Sequence, residues 1–287
     1  MGIPRVSVVV ATRNNEDTIG RCLASVAAQT YSAIEIVVVD NYSTDRTWDI
    51  AQGYASRLVR SGNERSEQFN RGVNLATGKY VLRLDADFVL EPTVVSECVS
   101  AAVIGHDAIA VHNSPDVEVG WIARIRKFEV DMYRGDLVHS SARFVRRDAY
   151  LAIGGLDEHL VAGEDYDFQS RLDRGGYITG FIEAEAVHLG EPKSLARHLG
   201  KYFHYGTQFV EYWRKNPKDA QAKLGLSKRP YASHWRSSVE RPGMGAAFVL
   251  YSLLKFSAGG LGFAWGLVHS WLWRGGTPRD SPTSDGR

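Results

Sequence analysis

The sequence predicts an α/β fold, a doubly wound and mainly parallel sheet flanked by helices, followed by a helical C-terminal appendage. Three observations carry that prediction. Short apolar runs alternate with helix-period stretches four times within residues 1–90, and each of the main runs ends in a cluster of Asn, Asp, Ser or Thr. After Pro242 the composition turns to long uncharged stretches rich in Gly, Leu and Trp. Strand–helix alternation is the mark of parallel strands joined by crossover helices, and in such open sheets ligands bind beyond the carboxyl ends of the strands.

Residues 6–10 form an apolar run, the pattern of a strand buried on both faces, and end in Ala11-Thr12-Arg13-Asn14-Asn15. Ile19, Leu23, Val26 and Ala27 then recur at helical spacing, which predicts a helix over 16–29. A second apolar strand at 34–39 runs into Asp40-Asn41-Tyr42-Ser43-Thr44-Asp45. Trp48, Ala51 and Tyr54 mark a helix, residues 58–60 a short strand, and Phe69, Val73 and Ala76 a third helix. Tyr80, Val81, Leu82 and Leu84 give a strand that ends in Asp85-Ala86-Asp87. Farther on, the pattern predicts helices at 93–103 and 121–132, strands at 108–112, 141–145 and 177–182, and a helix reaching Arg174 after Glu164-Asp165. Ala186-Val187-His188 follows the last strand, and residues 195–215 read as a helix rich in aromatic and basic side chains.

The 287 residues are 44% hydrophobic and 23% charged, ordinary globular values. A net charge of +1 gives no global attraction for polyanions, so no nucleic-acid partner is expected. Cys22 and Cys98 sit in apolar helical surroundings and read as buried free thiols of a reducing compartment. The polar Thr12-Arg13-Asn14-Asn15 cuts off the first apolar run too early for a secretory signal, so a cytoplasmic location is expected. The first strand-to-helix turn has no Gly-x-Gly-x-x-Gly, which argues against a dinucleotide-dependent dehydrogenase.

Asp85 and Asp87 stand one residue apart, so on an extended chain both carboxylates face one side, where they suit a hard divalent cation. An acidic turn is the plainer reading of that motif alone. Together with Ala11-Thr12-Arg13-Asn14, Asp40-Asn41-Tyr42-Ser43-Thr44-Asp45 and the acidic pair in Gly163-Glu164-Asp165-Tyr166-Asp167, however, it completes a set of four. Over residues 4–215 the chain resembles the glycosyltransferase family 2 enzymes of the GT-A fold, which carry such motifs in this order. The segment from Glu64 to Gly72 is similar to one found in a subset of those enzymes that act on lipid-linked or cell-surface glycans. Arg13, and Asn41-Tyr42 in place of Asp-Gly, depart from the family pattern.

The resemblance implies an inverting, metal-dependent transfer from a nucleotide-diphosphate sugar, first of all a UDP-sugar, to a hydroxyl acceptor. It places Thr12, Arg13, Asn14, Asp40 and Ser43 around the base and ribose, with Arg65, Asn70, Asp85 and Arg143 also on the donor. Mn²⁺ or Mg²⁺ is expected on Asp87, with Asp85 and His188 completing the set; an imidazole ligand favours Mn²⁺. Asp165 takes the part of general base and Glu164 orients the acceptor, whereas Asp167 reads as a helix-start acid favoured by the macrodipole. Arg146 and Arg147 read equally well as a phosphate site or as a solvated basic face. Transfer directly to polyprenyl phosphate is an alternative, and so is a nucleotide-sugar-binding scaffold without catalysis.

The expected domains are a catalytic unit at 1–215, a helical membrane-associated segment at 216–276 and a disordered tail at 277–287. The apolar run 256–273, preceded by Lys255, approaches transmembrane length, and Trp265, Trp271, Trp273 and Arg274 resemble an interfacial anchor. With the basic, aromatic stretch at 198–228, it predicts peripheral attachment to, or a span of, the inner face of the cell membrane. Nothing in the sequence fixes an oligomeric state.

Overall fold

The computed structural model describes residues 2–136, 138–224, 230–231 and 233–272. Eight strands form one mixed sheet in the order β3-β2-β1-β4-β7-β6-β8-β5. Strands β1 (Val6–Thr12), β2 (Ile34–Asp40), β3 (Arg57–Arg60) and β4 (Tyr80–Asp85) are parallel to one another. Helices α1 (Ile19–Ala27), α2 (Thr47–Gln52) and α3 (Arg65–Leu75) connect them. β7 (Phe144–Arg146) runs antiparallel to β4 and β6 (Ala108–Pro115), β8 (Thr179–His188) runs parallel to β6, and β5 (Phe88–Leu90) closes the edge antiparallel to β8. Between them lie α4 (Val94–Val103), α5 (Trp121–Asp131), α6 (Arg147–Ala152) and α7 (Glu164–Arg174).

The alternation of side chains along a strand divides the core into two layers. Val8, Val10, Ile36, Val38, Leu82 and Leu84 pack with Ile19, Leu23, Val95 and Cys98 on one face. Val9, Val37, Val81 and Val145 pack with Phe69, Val73, Phe168 and Leu172 on the other. Both cysteines are buried and free, as expected. At Gly72 a Cβ would collide with Val9, so this glycine lets α3 lie close against β1. Several elements differ from the expected ones: β6 runs on to Pro115 rather than ending at 112, and β7 begins at Phe144 rather than at 141. Residues 16–18 form a turn on the Asn15 carbonyl before α1, the last strand runs unbroken to His188, and the three-residue β5 had no pattern long enough to reveal it.

The chain continues through α8 (Leu195–Lys215), α9 (Pro217–Leu224), α10 (Trp235–Glu240) and α11 (Pro242–Leu272). α8 and α11 lie side by side, pointing the same way: Gly206 faces Gly259 and Phe263, and Gly266 faces Thr207 and Val210. These glycines allow backbones to approach as larger residues would not. α8 packs along α11 on one side and against the segment around α7 on the other, where Tyr212 meets Gly163 and Lys215 pairs with Asp157 and Asp167. Lys255 does not interrupt the helix. It is buried at 4% exposure and paired with Glu129 of α5, which anchors mid-helix to the sheet domain. The tail at 277–287, and Trp273 and Arg274, lie outside the described residues.

His198 of α8 is buried, its Nε2 2.7 Å from the Tyr251 hydroxyl of α11 and its Nδ1 without a partner. Burial, together with the positive charge of Arg126, pushes its pKa down to about 4. The unfolded chain, with histidine near 6.5, then takes up a proton that the folded chain refuses. Stability is thus full above pH 6.5 and falls toward pH 4, by at most about 1.4 kcal/mol per pH unit. Thermal denaturation at pH 7 and pH 5 checks this: the melting temperature should drop on acidification, and by less in His198→Gln.

Candidate active site

The loops beyond β1 and β2 are sewn together by their own polar side chains. Gln68 of α3, buried, donates from Nε2 to the carbonyls of Thr12 (2.9 Å) and Val39 (2.7 Å), fixing the two strand ends. The Asn14 amide N–H donates to Ser43 Oγ at 2.9 Å, and Asn14 Oδ1 accepts from the Thr44 N–H, also at 2.9 Å. Asn14 and Tyr42 hold left-handed backbone conformations at φ 51° and 49°. Asp40 is fully buried and accepts from the Ser43 amide (3.0 Å) and hydroxyl, with Arg60 3.8 Å away. Thr12 Oγ1 donates to Asn15, and the Arg13 side chain is exposed at the rim. The five residues expected around base and ribose therefore gather at the carboxyl ends of β1 and β2, with Asp40 buried beneath the others.

Beside that rim, three carboxylates from distant segments converge on arginines. Arg65, at the start of α3, places Nη1 3.1 Å from both Asp85 oxygens and Nη2 against Glu164 and 3.5 Å from Asp165. Arg143 reaches Asp85 at 3.0 Å, and Arg83 reaches Asp165 at 2.9 Å. Burial opposes the charge on Asp85, but Arg65 and Arg143 outweigh it and hold its pKa at about 2. Burial likewise opposes ionisation of Asp165, and Arg83 and Arg65 hold it well below the usual carboxylate range. Glu164 goes the other way: burial and the neighbouring Asp165 charge raise it, against the pull of Arg65. Both acids open α7, where the helix N-terminus also favours negative charge.

Asp85 and Asp87 do not share one face. The chain turns at Ala86-Asp87 directly after β4, so Asp85 faces the arginines while Asp87 Oδ2 meets His188 Nε2 at 3.0 Å. The extended-chain expectation fails because the strand ends at Asp85 itself. His188 reaches Asp87 because β5 and β8 pair Phe88 with it. Of the expected metal set, Asp87 and His188 come together, whereas Asp85 is engaged by two guanidiniums.

Asn70 stands apart from this cluster. Its amide donates to the Leu156 carbonyl and Glu158 and accepts from the Tyr150 hydroxyl and Leu156 N–H, so every polar position is spent ordering the loop before α7. Arg146 pairs with Asp107 and Asp148, and Arg147 caps carbonyls of α3, so neither joins Arg143. Asp167 binds Arg171, Lys215 and Asn216, a structural role. Arg83 is the residue sequence reading missed. A lone arginine in an apolar strand was the signal, and it lies 3% exposed between the rings of Phe69 and Phe168. A second acidic group, His112, Asp131 and Glu185, is already neutralised by Lys127 and Arg134.

The model for "Glycosyl transferase family 2" matches residues 7–151, and that for "Glycosyl transferase family group 2" matches residues 80–273. The chain belongs to glycosyltransferase family 2. Among curated relatives, it is 31% identical over 216 residues to the PGL/p-HBAD biosynthesis glycosyltransferase of Mycobacterium bovis, covering 69% of this chain and 82% of that protein. It is also 35% identical over 105 residues to the glycosyltransferase YibD of Escherichia coli, covering 34% of this chain and 30% of that protein. In fold, this glycosyltransferase resembles the mannosyltransferase PcManGT of Pyrobaculum calidifontis, solved with GDP-Man and Mn²⁺. The TM-score is 0.61 at 19% identity, over 94% of this chain and 88% of that one. It also resembles residues 1–349 of S. aureus TarS, solved with UDP-GlcNAc, with a TM-score of 0.51 at 21% identity over 72% of this chain and 66% of that one. The fold is GT-A, and a nucleotide-sugar donor follows from the family.

Gly163 sets up the acidic pair, with φ at +85° directly before Glu164, and a Cβ there would lie 2.7 Å from the Tyr212 ring. Gly163→Ala should therefore lower stability by roughly 1–3 kcal/mol, as left-handed backbone strain plus steric clash would. Chemical denaturation of the two proteins measures it.

Proposed function

We propose that the chain is an inverting glycosyltransferase moving a sugar from a nucleotide-diphosphate donor, a UDP-sugar in the first instance, to a hydroxyl of a lipid-linked or cell-surface glycan. The observation that carries this reading is the convergence of Asp85, Glu164 and Asp165 on Arg65, beside the Asp87–His188 pair. A donor base and ribose would lie against the rim of Thr12, Arg13, Asn14 and Ser43, with the buried Asp40 holding Ser43 in place from beneath. Arg65 and Arg143 would turn toward the diphosphate, for which a planar guanidinium is suited. Asp165, kept ionised by Arg83, would accept the proton of the acceptor hydroxyl as that oxygen attacks the anomeric carbon opposite the leaving group. Glu164 would orient the acceptor.

Asp87 and His188 also fit a divalent cation. Their Oδ2 and Nε2 converge, and only Gly190 leaves room there, since a Cβ at 190 would stand 2.7 Å from Asp87 Oδ2 and 3.2 Å from His188 Nε2. Mn²⁺, or Mg²⁺, bound on these two side chains would supply Lewis-acid stabilisation of the departing diphosphate. The mixed nitrogen and oxygen set favours Mn²⁺.

The acceptor would be met at a membrane surface on the cytoplasmic side. Among the described residues α11 is the one helix long and apolar enough to span, with mean hydropathy 1.4 and only 28% of its apolar window buried. Leu250, Leu253, Leu261, Trp265 and Trp271 are exposed along it, while Arg197 and Lys201 are exposed on the adjacent α8. The buried Lys255–Glu129 pair ties this helix to the sheet domain, which supports lying on the membrane rather than crossing it.

Calorimetric titration with UDP and GDP, each with Mn²⁺ and with chelator, tests the donor: UDP should bind in a metal-dependent way, and binding of neither nucleotide by folded protein would sink the reading. Asp87→Ala should keep the fold and lose about 10²-fold or more in transfer; Asp165→Asn should lose as much when compared as folded protein, at some cost in stability because Arg83 is left without its carboxylate. The product should carry the anomeric configuration opposite to the donor's, read by NMR. In sedimentation with anionic vesicles, Leu253→Glu combined with Leu261→Glu should abolish binding that the unaltered protein shows; equal binding would dismiss the membrane role of α11.

A further inference from the structure

Glu191 is a buried acid for which the reaction described above has no use. Its side chain is 1% exposed, so neither donor nor acceptor can reach it. Its oxygens are divided: Oε1 lies 2.8 Å from His188 Nδ1, and Oε2 pairs with Arg126, which α5 projects from the opposite side. A carboxylate serving only as the arginine's counter-ion would present both oxygens to the guanidinium fork. Here one oxygen is given to an imidazole whose other nitrogen, Nε2, faces Asp87 at 3.0 Å. The surroundings leave that ring little choice of pose. Phe88 packs against it with centroids 4.8 Å apart, the Leu189 N–H donates to the Asp87 carbonyl at 2.8 Å, and the His188 carbonyl accepts from Asp116.

We propose that Glu191 is a positioning residue for the cation site. By accepting a hydrogen bond from Nδ1–H it holds the His188 ring so that Nε2, which donates to Asp87 here, would present its lone pair at that place once a cation displaced the proton, and Arg126 in turn fixes Glu191. Carboxylates that accept from the far nitrogen of a metal-binding histidine hold its tautomer and orientation, and their loss weakens metal affinity by about 10–100-fold. The fold explains why this acid stands where it does. β8 ends at His188, Gly190 keeps the space before Asp87 and His188 clear, and the chain turns within three residues to bring Glu191 beneath the ring. The inference rests on Asp87 and His188 as the cation's holders.

The test is Mn²⁺ affinity, followed by the EPR signal of free Mn²⁺ with saturating UDP or GDP present. It compares wild type, Glu191→Ala, Glu191→Gln, His188→Ala and the double variant His188→Ala/Glu191→Gln. Glu191→Gln fills the same space and guards against a variant that fails to fold with Arg126 left unpaired. Glu191→Gln should weaken Mn²⁺ measurably, folded Glu191→Ala should reach about 10–100-fold, and the Gln change should cost nothing further once His188 is gone. Wild-type affinity in Glu191→Gln and Glu191→Ala would overturn the proposal while leaving the cation site standing, as would an equal loss with and without His188. Absence of Mn²⁺ binding by wild type would overturn the cation reading and this proposal together.

Discussion

The site depends on one electrostatic constraint: three carboxylates gathered in a partly dry cleft cannot remain ionised unless cations hold them. Arg65 on α3, Arg83 on β4 and Arg143 just before β7 meet that constraint, and each joins segments distant in sequence, since Arg65 alone spans Asp85 and Glu164. Removing one partner of such a group leaves an uncompensated buried charge, which costs far more than the pair itself contributes. The arginines are therefore part of the fold as much as of the chemistry. The strand that delivers Asp85 also carries Arg83, and the helix that delivers Glu164 and Asp165 meets Arg83 directly and Asp85 through Arg65.

Much of this was legible because strand and helix periods are local properties. The apolar runs at 6–10, 34–39 and 80–84 became β1, β2 and β4, and their polar ends lie where a parallel sheet puts its ligand-binding loops. What could not be read were features decided by partners far along the chain. Arg83 looks like an interruption of a strand until Asp165 is beside it. Asn70 carries the residue type of a ligand contact, yet the loop it orders lies 86 residues away. Asp85 and Asp87 share a side only while the backbone stays extended, and whether a strand continues two residues more depends on its neighbours.

The C-terminal helices show the same dependence on context. Lys255 reads in sequence as a charge ending an apolar run, but Glu129 of α5 receives it, and rings of Tyr202, Tyr251 and Phe256 surround its ammonium. A buried ion pair of this kind specifies register more than it adds stability. It sets which face of α11 meets the sheet domain and so which face is left apolar and exposed. Arg126, less than one turn before Glu129 on the same helix, points instead to Glu191, which holds His188. One helix thus serves both the cation pair and the helical appendage.

Environment, rather than residue type, separates the two adjacent acids of α7. Asp165 has two guanidiniums, one of them almost fully buried, and its charge is favoured despite its own burial. Glu164 has one, is more deeply enclosed, and feels the charge of Asp165. A pair whose environments drive the proton affinities apart can divide labour, one acid remaining an acceptor of protons while the other serves as a hydrogen-bonding group. A base held low by arginines is weak until those arginines are drawn elsewhere. On the proposed reading, Arg65, shared between Asp85 and Asp165, and Arg143 are the arginines a diphosphate would draw. Donor binding would then strengthen Asp165 as a base by drawing Arg65 away, while Arg83, its nearer partner at 2.9 Å, stays and keeps it ionised.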